Sequence, residues 1–129
     1  MSLPITLTAA GAAAFLNIWL TIRIGTVRAA KKISVGDGGD EGLVRRMRAQ
    51  ANFIENTPIV LILIGAIEFS RAGSVWLAGI ATLYTLGRVA HGVGMDGGPF
   101  GFGRNIGTTI TLAVQFALAV WAVTIALNV

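Results

Sequence analysis

The sequence predicts an all-α integral membrane protein, a four-helix bundle, and three observations predict it. Apolar residues make up 54% of the 129 residues and charged residues only 12%, well under the roughly 25% usual in soluble domains. The apolar residues gather in stretches long enough to carry a helix across a hydrocarbon core of about 30 Å, which takes about 20 residues. Most charges lie between those stretches or near their ends, leaving too few polar groups to coat a globule and no room for a separate soluble domain.

The first span is expected from about Pro4 to Ile24, with proline suited to a first helical turn. Its run Ala9-Ala10-Gly11-Ala12-Ala13-Ala14 allows close approach of another helix. Asn17 and Arg23 are its polar exceptions, and Arg23 is near enough to the end to reach the interface by snorkelling. The stretch without basic residues before this span argues against a cleaved signal peptide, so the span is expected to remain as an anchor. A cytoplasmic loop over residues 28–42 follows, with a basic collar of Arg28, Lys31 and Lys32 and a turn at Gly36-Asp37-Gly38-Gly39-Asp40. Glycine tolerates positive φ there, and aspartate bonds to nearby backbone.

The second span, about residues 43–69, is polar in its first half and apolar after Pro58. At 1.5 Å per residue it is roughly 40 Å long, so it should project into water, with a bend at the proline. A turn at 71–74 leads to a third span over about 75–93, and Glu68 and Arg71 are spaced for a local ion pair. The segment from Gly94 to Gly103 is too rich in glycine for a regular helix, and Asp96 is expected to shape that turn. The fourth span covers about 105–127. Basic residues flank loops one and three, while the second turn holds only Arg71, which places loops one and three in the cytoplasm and both termini on the other side.

The net charge of +4 comes from residues beside apolar spans, with no basic patch interleaved with aromatics, so no nucleic-acid partner is expected. The chain has no cysteine, which excludes disulfides and thiolate metal sites and leaves any thiol chemistry to a bound substrate. No metal site is expected. Arg45, Arg48, Asn52 and Glu55 follow one another at spacings of three, four and three, so they share one polar face of the second helix. Tyr84, Arg88 and His91 share a face of the third at spacings of four and three. Glu55 lies near the hydrocarbon boundary and needs a partner, and Arg88 is expected to supply it.

The run Arg48-Ala49-Gln50-Ala51-Asn52-Phe53-Ile54-Glu55, followed by Pro58, closely resembles the signature of the membrane-associated proteins in eicosanoid and glutathione metabolism, the MAPEG family. Leu86-Gly87-Arg88-Val89-Ala90-His91 is similar to an element of the same family's third span, and the Gly-Asp-Gly-Gly turn is similar to that of its bacterial members. The resemblance implies a homotrimer in a bacterial inner membrane, binding glutathione as co-substrate between subunits on the cytoplasmic side. It also implies a transferase or peroxidase acting on hydrophobic electrophiles that arrive from the bilayer.

Glutathione carries two carboxylates, an ammonium, peptide groups and a thiol, which calls for guanidinium forks, an acid and amides. By resemblance Arg48, Asn52 and Glu55 bind it, with Arg28, Gln50, Arg88 and His91 as further ligands. Gln50 lies about 200° from Arg48 around the helix, so it serves only a site formed across a subunit boundary. Arg104, at the start of the fourth span, is similar in position to the arginine that activates the thiol, since a fixed cation lowers a thiol pKa of about 8.5. Met95 stands where strongly active members carry a tyrosine, and Asn56 where some eukaryotic members do. A non-catalytic lipid or small-molecule binding protein of the same fold is the alternative. A small multidrug exporter requires an acid in the first span, and the first acid here is Asp37, in the loop.

Overall fold

The computed structural model describes residues 2–71 and 73–129; Met1, and Ala72 within the expected turn at 71–74, lie outside the described residues. Four helices follow in order: α1 Pro4–Lys31, α2 Glu41–Arg71, α3 Val75–Gly94 and α4 Phe102–Leu127, with a short 3-10 turn at Gly98–Phe100 before α4. Helix α1 packs on α2 and α3, and α4 packs on α3 and α2, which closes a bundle. Among the described residues, three segments are long and apolar enough to cross a membrane: α1, α2, and the 3-10 turn with α4. Helix α3 turns Tyr84, Arg88 and His91 into the bundle and leaves Trp76, Leu83, Leu86 and Val89 on the outside, so its outward face is as apolar as its neighbours'.

The helix ends follow from their caps. Pro4 opens α1, and Lys32, in the left-handed conformation, closes it by returning its backbone N–H to the Arg28 carbonyl. Helix α1 therefore runs on past the expected span to Lys31, and only residues 32–40 of the expected loop are non-helical. Within them Gly36, Gly38 and Gly39 have positive φ, as the turn requires. Asp40 caps α2 through a hydrogen bond from the Leu43 N–H at 2.8 Å, and its carboxylate pairs with Lys31 at 2.6 Å. These two contacts, the Lys31 bond foremost, hold the Asp40 carboxyl below its ordinary value of 3.8. Helix α2 is continuous across Pro58. Ser74 caps α3 by accepting from the Leu77 N–H at 3.2 Å.

Glu68 does not pair with Arg71 as the spacing suggests. It is buried, and its carboxylate accepts the backbone N–H groups of Ile5 at 2.9 Å and Thr6 at 2.8 Å, and the Thr6 hydroxyl at 2.6 Å. The first turn of α1 has orphan N–H donors and a positive dipole end, and both favour a carboxylate more than an exposed arginine does. Asp96 likewise does more than shape a turn. It pairs with Arg23 of α1 and with Arg46 of α2 at 3.2 Å, while Arg23 also donates to the Gly92 carbonyl at 2.6 Å. Arg23, stacked over the Trp19 ring at 4.8 Å, is thus part of a polar buckle that ties three helices together.

In hydrocarbon, apolar burial gains nothing over lipid contact, so close packing and interhelical hydrogen bonds hold such a bundle. Helices α3 and α4 show the closest approach. A Cβ on Gly107 would stand 2.5 Å from the Gly87 carbonyl oxygen, and one on Gly103 would stand 2.5 Å from that of Ala90. Gly103, Gly107 and Thr111 form a buried stripe at helical spacing, continued by Val114 and Leu118.

Candidate functional site

The glycine stripe of α4 sets what the interior can do, because it brings Thr111 up against α3. Arg88 of α3, only 2% exposed, donates from Nη1 to the Thr111 hydroxyl at 3.0 Å and from Nη2 to Asn52 Oδ1 of α2 at 2.7 Å. His91 Nδ1 lies 3.4 Å from the same Nη2. A guanidinium only donates, so His91 Nδ1 faces it as an acceptor. Nε of Arg88 has no partner, and no carboxylate lies within ion-pair distance among the described residues. A buried cation is therefore held by neutral acceptors from three helices, an arrangement that depends on every one of them.

Helices α2 and α4 run in the same direction, and the polar contacts repeat one turn further in. Gln115 of α4 donates to Asn56 Oδ1 at 2.7 Å, and Asn56 donates to the Asn52 carbonyl at 2.8 Å. Across the bundle the hydroxyls of Thr57 and Tyr84 share a buried hydrogen bond of 2.8 Å. Along this seam Asn56 is paired with Gln115 and Thr57 with Tyr84, as polar groups between apolar helices require.

The expected pair of Glu55 and Arg88 does not form within the chain. Glu55 is exposed on α2 and, among the described residues, pairs only with Arg48, at 3.9 Å, while Asn52, one turn earlier, takes the position beside Arg88. Both long side chains of the Arg48–Glu55 pair are more than half exposed, so the pair contributes little to stability. The outer face of α2 thus presents a guanidinium, an amide and a carboxylate, and Asn52 alone of the three is tied inward.

The remaining candidates are placed apart. Gln50 turns away from Arg48, as its position around the helix requires, and donates to Thr21 at 2.8 Å and Asn17 at 3.2 Å on α1. Arg28 donates to the Gly36 carbonyl at 2.7 Å and so clasps the loop between α1 and α2. Its guanidinium serves that loop in the single chain. Arg104 is exposed in the first turn of α4 and has no ion-pair partner among the described residues. An apolar groove of about 370 Å³ lies elsewhere, between α1 and α3, lined by residues that include Ile5, Ala9, Ala12, Ala81 and Leu86.

Thr111, Gln115 and the Gly103–Gly107 pair are the site-forming residues not singled out from sequence. The spacing of four between Gly103, Gly107 and Thr111 is the signal that marks them. Comparison with known proteins bears on the assignment in two ways. No curated protein matches the chain. The sequence model of the MAPEG family matches residues 6–124, nearly the whole chain; with its all-helical bundle and membrane-spanning helices, this integral membrane protein belongs to the MAPEG family.

Proposed function

We propose that the protein is a membrane-bound, glutathione-dependent transferase or peroxidase acting on hydrophobic electrophiles, assembled as a homotrimer. The observation that carries this reading is the outer face of α2. Arg48 and Glu55 stand exposed there and flank Asn52, which the interior holds from behind. These three groups complement the charges of glutathione: a guanidinium for a carboxylate, a carboxylate for the ammonium, and an amide for the peptide. A face so charged, at the end of an apolar helix, needs covering, and a neighbouring copy of the chain would supply the cover.

Arg104 completes the chemistry. As a fixed cation at the start of α4, beside the positive end of that helix, it lowers the pKa of a thiol held nearby and raises the thiolate fraction at neutral pH. The thiolate then attacks an electrophile that reaches the site from the bilayer. The positive charge of the 28–48 region and of Arg104 supports a topology with this end of the bundle in the cytoplasm and both termini opposite, in an inner membrane. Glutathione conjugation of a hydrophobic electrophile by the purified protein, lost in Arg104→Ala, tests the reading.

A second reading rests on the groove between α1 and α3. Its small and apolar lining suits an acyl chain, and a non-catalytic lipid-binding role follows if fatty acids raise the melting temperature while glutathione has no effect.

A further inference from the structure

We infer that Thr111, acting through Arg88, fixes which end of the Asn52 side-chain amide faces outward, so that the α2 face offers a hydrogen-bond donor and selects an acceptor group on its ligand. The inference rests on the proposed glutathione reading only for the identity of that ligand. The fixing itself is a property of the chain alone.

An asparagine amide has two ends of opposite character, a carbonyl that accepts and an NH₂ that donates, and it can turn either outward. Here the choice is imposed. Arg88 has no acceptor, so the 2.7 Å contact from its Nη2 must fall on Asn52 Oδ1. Arg88 in turn cannot swing away, because Thr111 accepts from Nη1 at 3.0 Å and the guanidinium is almost fully buried. Asn52 Nδ2 is left pointing elsewhere. It donates to no group among the described residues, yet it is not among their buried polar atoms without a partner, so it retains an accessible face. A donor that keeps an accessible face, held on a side chain that cannot flip, recognises a carbonyl or carboxylate oxygen.

The second contact on Asn52 reinforces this geometry. Gln115 holds Asn56, and Asn56 donates to the backbone carbonyl of Asn52, so α4 grips the helix segment that carries the amide one turn beyond it, while Arg88 holds the amide itself. Thr111 is thus a positioning residue, not a catalytic one.

The test uses three variants. Asn52→Asp places a carboxylate against a buried cation that has no anion beside it among the described residues, and it replaces the outward donor with an acceptor. The expected result is a raised melting temperature for the purified protein without ligand, together with at least a tenfold loss of glutathione affinity. Thr111→Val is expected to raise the KM for glutathione severalfold with kcat unchanged, and Thr111→Ser to restore it. An Asn52→Asp melting temperature equal to or below that of the parent protein overturns the fixed amide. So does unchanged glutathione affinity in Asn52→Asp when the parent protein binds glutathione. If the parent protein ignores glutathione while Asn52→Asp melts higher, the fixed amide stands and the glutathione reading falls.

Discussion

Glu68 of α2 closes the start of α1, accepting both the backbone N–H of Thr6 at 2.8 Å and its hydroxyl at 2.6 Å. Two helices that meet on the non-cytoplasmic side of the proposed topology are thereby joined by one carboxylate. Glu68→Gln keeps one acceptor and loses the charge, so it should lower the melting temperature in detergent by several degrees, and Glu68→Ala should lower it further. Arg71→Ala, at an exposed position without a carboxylate partner among the described residues, should leave the melt unchanged. Equal effects of Glu68→Gln and Arg71→Ala would restore the local ion pair.

The approach of α3 and α4 depends on glycine. Gly107→Ala drives a methyl group against the Gly87 carbonyl and the His91 Cβ, each 2.5 Å from where it would stand. The helices must part, at a cost of about 1–3 kcal/mol, and Thr111 withdraws from Arg88. Gly79→Ala on α3 meets nothing within 4 Å and should be neutral or stabilising by up to about 1 kcal/mol. Thermal melts of the two variants side by side check both expectations.

Asp40 makes the loop between α1 and α2 sensitive to acid. Its carboxyl is held below the ordinary 3.8 by Lys31 and by the Leu43 N–H it caps. A depressed folded-state value means that the charged form stabilises the fold: the contribution is complete above 3.8 and disappears as pH falls through the lower folded value. Asp40→Asn keeps a capping oxygen without the charge. Melts recorded at falling pH should show a smaller acid-induced loss in Asp40→Asn than in the parent protein, and parallel curves would assign the loss to other groups.

Arg104→Ala should act on the chemistry and not on binding. With a thiol of ordinary pKa, about 8.5, only a few per cent is thiolate at pH 7. Removing the cation should therefore reduce kcat at neutral pH by about tenfold or more, shift the rising limb of the pH–rate profile upward, and leave the KM for glutathione within about twofold. A loss that is the same at every pH would point to a role in positioning instead.

The bundle was legible from periodicity and hydropathy, because helices that enter hydrocarbon must be long, apolar and internally bonded. The face shared by Arg48, Asn52 and Glu55 was legible for the same reason, since spacing alone places residues around a helix. What spacing does not reveal is how far each helix is rotated toward its neighbours. Asn52 instead of Glu55 therefore stands beside Arg88, and Thr111, 23 residues from Arg88, completes the cluster. Glu68 shows the same limit: a partner three residues away is visible in the sequence, but the unsatisfied N–H groups of α1, 62 and 63 residues away, are the stronger attraction. The reach of α1 to Lys31 was concealed by its basic end, which belongs to a helix that continues beyond the apolar stretch.

Calorimetric titration of glutathione into the purified protein in detergent, repeated with Glu55→Gln and Arg48→Ala, tests the proposed site most directly. Saturable binding to the parent protein, weakened at least tenfold in both variants while their melting temperatures hold, is the predicted result. Absence of binding to the parent protein, or equal binding by all three, would contradict it.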